Sequence, residues 1–187
     1  MSSLREKILS TASNLFQTQG INSTGVDTIV AVAGTTKMTM YKYFNSKELL
    51  ILEVLKQGHQ DFQTWLSDKL SANTQKPSEK LQKLFDYIEE WITSPEFNGI
   101  GFIKAAAEFP KEDSAVHQLS AEQSLQFREY IKHLATEANI EDADGLSLQL
   151  SLLFKGAVQA EQMTRGSGAI KYAKKAAKIL IDGALPN

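Results

Sequence analysis

From about residue 4 to residue 184 apolar side chains return every three or four positions, and no stretch alternates apolar and polar residues between hairpin turns. That spacing restricts the chain to helices, and its breaks say where each one ends. Leu4, Ile8, Ala12, Leu15 and Phe16 form one apolar face, closed by Gly20 as a helix C-cap. Val26, Ile29, Val30 and Ala33 repeat the pattern over a shorter stretch that Gly34 ends. Thr36 stands where an N-cap opens a helix over 37–44, and Asn45-Ser46 caps a long one over 47–70, with Glu48 strengthening its start. The polar run Ser71-Ala72-Asn73-Thr74-Gln75-Lys76-Pro77 reads as a connector, followed by helices over 78–93, 99–108, 114–138, 143–165 and 168–184. The expectation is an all-α protein of about nine helices.

Charge and chemistry narrow the function classes. The chain carries a net charge of −2, unevenly spread: residues 1–50 are net +2 and residues 51–187 net −4. A basic head on an acidic body suits contact with a polyanion through the head alone. There is no cysteine, which excludes disulfides, thiolate metal sites and a cysteine nucleophile. No Gly-rich phosphate loop, His-Glu-x-x-His or Ser-centred elbow occurs, and His59, His117 and His133 lack metal-ligand spacing. An enzyme, a metal site and a cofactor are therefore not expected. The segment Met1–Lys7 mixes charges and opens no long apolar run, so a soluble, cytoplasmic protein with no membrane partner is expected.

The span 25–44 is the most informative. Two short helices around a tight Gly34-Thr35 turn have the dimensions of a helix-turn-helix, whose second helix enters the major groove while the first crosses the DNA backbone. That second helix, Lys37-Met38-Thr39-Met40-Tyr41-Lys42, spends many positions on polar donors and cations, which a helix built only for a core would not. Thr24-Gly25-Val26-Asp27-Thr28-Ile29, the run from Ala33 to Phe44, and Ser46-Lys47-Glu48-Leu49-Leu50 together resemble the N-terminal domain of TetR-family transcriptional regulators. The family pattern, roughly Ala-Gly-Val-Ser-Lys-Gly-Thr-Leu-Tyr-x-Tyr-Phe-x-Ser-Lys-Glu-x-Leu, is matched without a gap.

The resemblance implies a DNA-binding head over residues 1–50 and a ligand-sensing, dimerising helical body over 51–187. It also implies roles. Thr24 would hold a phosphate beside a helix N-terminus, and Thr36 would cap the recognition helix and reach the DNA backbone. Thr35, Lys37, Met38, Thr39 and Lys42 would face the groove, and Tyr41 and Lys47 would touch phosphates. Tyr43 and Phe44 would pack the small head core. Thr35 replaces the usual Val and Met38 the usual Gly, so operator preference is not carried over from relatives. The implied partners are a near-palindromic double-stranded operator, a second copy of the chain and a small-molecule effector, with repression released by the effector.

In the body, Gly99–Pro110, Leu153–Ala157 and the closing alanine-rich helix resemble segments of one TetR-like subgroup. Twelve of the sixteen aromatics follow residue 50, and a helical bundle so rich in large rings either packs solid or encloses a small-molecule cavity. Phe62, Trp65, Trp91, Phe102, Phe109, Phe127 and Phe154 are the candidate lining, which implies a largely apolar or aromatic effector; Glu108, His117 and His133 are candidates for one orienting hydrogen bond. The alternative is a ligand-independent DNA-binding or adaptor protein with a solid body. Leu146, Leu150, Leu153, Ala157 and Ala160, with Ala173, Ala176, Ala177 and Leu180, mark the expected dimer interface, a four-helix contact under a two-fold axis. Lys171, Lys174, Lys175 and Lys178 read as the solvated face of the last helix.

Overall fold

The computed structural model describes residues 3–73, 76–95, 97–99 and 101–186, and among them the chain is helical throughout, with nine helices and no strand. They are α1 (Leu4–Gln19), α2 (Val26–Ala33), α3 (Lys37–Phe44), α4 (Lys47–Asn73), α5 (Pro77–Thr93), α6 (Gly101–Glu108), α7 (Ala115–Glu137), α8 (Ala143–Met163) and α9 (Ala169–Ala184). The expected connector begins later than its polarity suggests, because α4 runs on through Asn73; Thr74 and Gln75 lie outside the described residues. No helix among the described residues is long and apolar enough to cross a membrane.

The ends are set by local chemistry. Ser3 and Glu6 form a reciprocal capping box at the start of α1, with Ser3 N–H donating to Glu6 at 2.7 Å. Ser46 Oγ accepts from Leu49 N–H at 3.0 Å to open α4, and Asp142 accepts from Gly145 N–H at 2.9 Å to open α8. Pro77 takes the first position of α5, where its missing N–H costs nothing.

Packing divides the chain into two compact units. The first comprises residues 1–61 and 100–123, the second residues 62–99 and 124–187. In the first, Ile8, Ala12 and Phe16 of α1, Ile29 and Ala33 of α2, and Met40 and Phe44 of α3 fill one core, continued by Leu50 and Leu55 of α4, Ala105 of α6 and Val116 of α7. Burying each of the larger side chains contributes roughly 1.5–3 kcal/mol, which is what holds three short helices together.

In the second unit α8 packs along α9, and α9 along α5. Glu161, near the end of α8, is buried and accepts from Gly166 N–H at 2.6 Å and Ser167 Oγ at 3.0 Å, which fixes the tight link into α9. These donors hold the Glu161 carboxyl below its usual pKa, against the opposing effect of burial.

This seam takes up five of the nine residues of the expected dimer interface. Leu146, Leu150, Ala157, Ala173 and Ala177 are all less than 10 % exposed within the single chain, and Leu153, Ala160, Ala176 and Leu180 are half-buried. The more apolar stripe of each helix is claimed by the chain's own core. What remains outside is a second stripe, with Leu148, Leu152 and Met163 on α8 and Tyr172 and Ile179 on α9 between 44 % and 77 % exposed. Of the α9 lysines expected on a solvated face, Lys171, Lys175 and Lys178 are exposed, whereas Lys174 is half-buried and bound by Asp86 and Glu89 of α5, both at 2.8 Å.

Candidate nucleic-acid interface

α2 and α3 meet across Gly34, whose backbone is left-handed (φ 65°). A side chain there would be strained, and the conformation lets Thr35 N–H return to Val30 O at 2.9 Å, satisfying a carbonyl that the end of α2 leaves open. Thr36 then caps α3 as expected, its Oγ1 accepting from Thr39 N–H at 3.2 Å. Met40 and Phe44, one turn apart, turn inward. The Arg5 guanidinium lies 5.0 Å from the centroid of the Phe44 ring and 2.8 Å from Glu53, which closes the core from the outside.

With that face spent, α3 presents Lys37, Met38, Tyr41, Lys42 and Tyr43 outward. Met38 is 69 % exposed on this face. Tyr43 departs from expectation: it is 45 % exposed and not part of the core, because it stands about 100° around the helix from Phe44. Thr35 and Thr39 are half-buried at the edge of the same surface. Lys37 pairs with Asp27 at 2.8 Å across α2 and α3, and the hydrogen bond to that carboxylate, followed by its charge, raises the lysine pKa. Both groups are open to solvent, so the pair screens easily and leaves Lys37 free to change partner.

Two residues assigned to phosphate sit elsewhere. Thr24 is fully buried, and its hydroxyl donates to Gly20 O at 2.7 Å, so it ties the turn before α2 together from inside and is not presented to a ligand. Lys47 is half-buried and donates to Ile21 O at 2.9 Å; burial lowers its pKa, with the nearby Glu108 charge opposing. Both placements follow from the turn over 20–24, whose carbonyls need donors that the short chain segment cannot supply itself.

Of the candidate effector lining, five rings gather in the second unit. Phe62 stands 4.6 Å from Trp91, 6.0 Å from Phe154, 6.1 Å from Phe127 and 6.1 Å from Trp65, while Phe127 and Phe154 approach to 4.2 Å between centroids. Phe97, absent from the candidate set, packs edge-on to Trp91 at 4.8 Å. Phe102 and Phe109 belong to the first unit, where Phe102 meets His59 edge-on and Phe109 packs against the head core. The three polar candidates each have another neighbour. Glu108 binds the turn at Ile21 and Asn22, His117 Nδ1 lies 2.8 Å from Phe109 O, and His133 is an exposed neighbour of Glu137. Among the described residues no group of three or more His, Cys, Asp or Glu could hold a metal ion.

Comparison with known proteins places this geometry. Residues 8–54 match the family model described as bacterial regulatory proteins, tetR family. An uncharacterised HTH-type transcriptional regulator of Bacillus subtilis, YxaF, is 50 % identical over 52 residues, 27 % of each chain. The HTH-type transcriptional regulator LmrA of the same organism is 37 % identical over 79 residues, 42 % of each chain. These matches thus span about a quarter and under half of those relatives' lengths. The fold carries the likeness further: a TetR-family transcriptional regulator from Streptomyces coelicolor superimposes with a TM-score of 0.90 at 24 % identity, over 97 % of this chain and 95 % of that one. Residues 8–54, with their exposed and capped second helix, thus carry the helix-turn-helix head of the TetR family of bacterial regulatory proteins, and the chain as a whole has the fold of TetR-family transcriptional regulators.

Proposed function

We propose that the chain is a cytoplasmic, homodimeric repressor that binds a near-palindromic operator through residues 1–50 and is released when a small molecule binds the body formed by residues 51–187. The observation that carries the DNA-binding part is the outward face of α3, where Lys37, Met38, Tyr41 and Lys42 stand together on a helix whose opposite face is locked by Met40 and Phe44. Two copies related by a two-fold axis present two such helices to successive major grooves, about 34 Å apart for half-sites one turn apart.

The effector reading rests on the aromatic cluster. Phe62, Trp65 and Trp91 are half-buried, so these rings keep accessible surface beside the buried Phe127 and Phe154. Ser151, one turn before Phe154 on α8, is buried with no hydrogen-bond partner for its hydroxyl among the described residues, and offers one polar handle in an apolar site. A planar, largely apolar effector suits that chemistry. α4 contributes residues to both compact units, so a ligand that favours one α4 conformation and an operator that favours another are coupled through one element.

Selection of bound duplexes from a random library at near-physiological salt tests the first part. A near-palindromic consensus is expected, and no enrichment from folded protein would refute sequence-specific binding. Repeating the selection with variants separates roles. Lys42→Ala is expected to weaken the consensus by about 1–3 kcal/mol per half-site and to relax one position in it. Tyr41→Phe, which removes a phosphate donor, is expected to weaken all duplexes alike. For the effector, Trp65 and Trp91 are the only two tryptophans in the chain, so binding at the cluster is expected to change intrinsic fluorescence and raise Tm together.

A further inference from the structure

The turn that leaves α1 is held by side chains far away in sequence but in the same compact unit. Glu108, at the end of α6, accepts from Ile21 N–H at 2.9 Å with one oxygen and from Asn22 N–H at 2.7 Å with the other. Asn22 Nδ2 donates back to Glu108 O at 3.1 Å. On either side, Lys104 donates to Gln17 O at 3.2 Å, capping a carbonyl that the end of α1 leaves open, and Lys47 donates to Ile21 O at 2.9 Å. Burial lowers the pKa of both lysines, and the Glu108 carboxylate between them opposes the shift.

This arrangement is more than a surface ion pair. Each of its hydrogen bonds has a main-chain group at one end, so it fixes the backbone course and not merely two side chains. Gly20 takes a φ of 89°, a conformation that favours glycine, while a Cβ there would make only ordinary contact with Glu108 Oε1 at 3.5 Å. The turn leads directly to Thr24 and then to Gly25, the residue from which α2 starts. Where the turn is held therefore decides where α2, and with it α3, begins.

Resting on the DNA-binding reading above, we propose that Glu108 is a positioning residue for operator binding: it clamps the turn over 20–22 to the end of α6 and so holds α2 and α3 in the arrangement that meets DNA. The clamp makes a prediction opposite in sign to simple electrostatics. Neutralising an acid on a DNA-binding protein ordinarily tightens DNA binding, since one repulsive charge is gone. Glu108→Gln removes the same charge, yet it also puts an amide N–H₂ against a main-chain donor and frees the turn.

The test compares full-length wild type, Glu108→Gln and Glu112→Gln, the last making the same charge change at an exposed neighbour. Each is measured for affinity to the selected operator at two salt concentrations, and for hydrogen-exchange protection of the Ile21 and Asn22 amides. Glu108→Gln is expected to bind about five- to tenfold more weakly with an unchanged salt slope, and to lose roughly tenfold in protection at those two amides. Glu112→Gln is expected to bind as wild type or more tightly. Operator binding by Glu108→Gln at or above the wild-type level overturns the proposal, whether or not the amides lose protection. A wild type that enriches no duplex overturns the DNA-binding reading itself, a result distinct from failure of the clamp. Should Glu108→Gln lose helix content, Asn22→Ala replaces it; this variant loses only the side-chain arm at an exposed position, and an affinity loss of about two- to threefold is then the expected result. Unchanged affinity in that variant overturns the clamp.

Discussion

Leu152→Glu is expected to leave a folded protein that is monomeric at micromolar concentration and binds the selected operator about 10²- to 10⁴-fold more weakly. Leu152 is 61 % exposed on α8, flanked by Leu148 and Met163 on the same face, with Tyr172 and Ile179 exposed on α9. A single chain gains nothing from leaving five large apolar side chains in water, and a second copy of the same surface is a partner that covers them. A two-fold axis counts the substitution twice, setting glutamates into an apolar patch from both sides, where desolvation and like charge act together. The loss in operator affinity follows from linkage. With two heads joined, the second half-site is met at the high local concentration its partner imposes, and a monomer forfeits that gain. Sedimentation velocity and operator titration on one sample read both quantities. A dimeric Leu152→Glu with wild-type affinity would show that the exposed stripe is not the subunit contact. Leu150→Glu is the contrasting variant: Leu150 is fully buried, and a carboxylate there is expected to unfold the helical body and not to separate subunits.

The same pair of residues shows what periodicity can and cannot say. Leu150 and Leu152 lie on one helix, and the 3.6-residue repeat finds both an inward stripe and a weaker outward one without saying which is spent inside the chain. The richer stripe went to the core, since the chain's own neighbours are always present and a partner is not. The head was more legible. Gly34, Thr36 and the Met40–Phe44 pair each have a local cause that the sequence carries by itself: a left-handed turn, a cap and a one-turn spacing. Tyr43 was legible by the same geometry, since the inward direction set by Met40 and Phe44 excludes it. Thr24 and Lys47 were not, because a family resemblance carries residue type but not the direction of the side chain. Glu108 lay further out of reach. Its partners are main-chain groups 86 and 87 residues away, and no pattern within α6 distinguishes a clamp from a solvated acid.

Phe154→Ala is expected to be the most destabilising single truncation in the aromatic cluster, at about 3–5 kcal/mol, lowering Tm by roughly 10 °C. Phe154 has no exposed surface and meets Phe127 at 4.2 Å, Phe62 at 6.0 Å and Trp91 at 6.5 Å, so its removal strips contacts from three other rings at once. Phe62→Ala is the informative companion: that ring is only half-buried, and its loss is expected to cost markedly less while changing the emission of Trp65 and Trp91 beside it. The size of the Phe154 effect discriminates between two bodies. A loss near the upper figure means that the rings fill their space, so that any effector of the proposed kind would have to displace Phe62 or Trp91 to enter and would bind only a conformation in which they have moved. A loss below about 1.5 kcal/mol means that the neighbours collapse easily or that space already exists among them, in which case the effector enters a preformed cavity and release has to come from contacts it makes there. Thermal melts of the two variants in the absence of any ligand are enough to separate the cases, because the cost of an emptied ring position depends on how completely its neighbours were packed before the ring was removed.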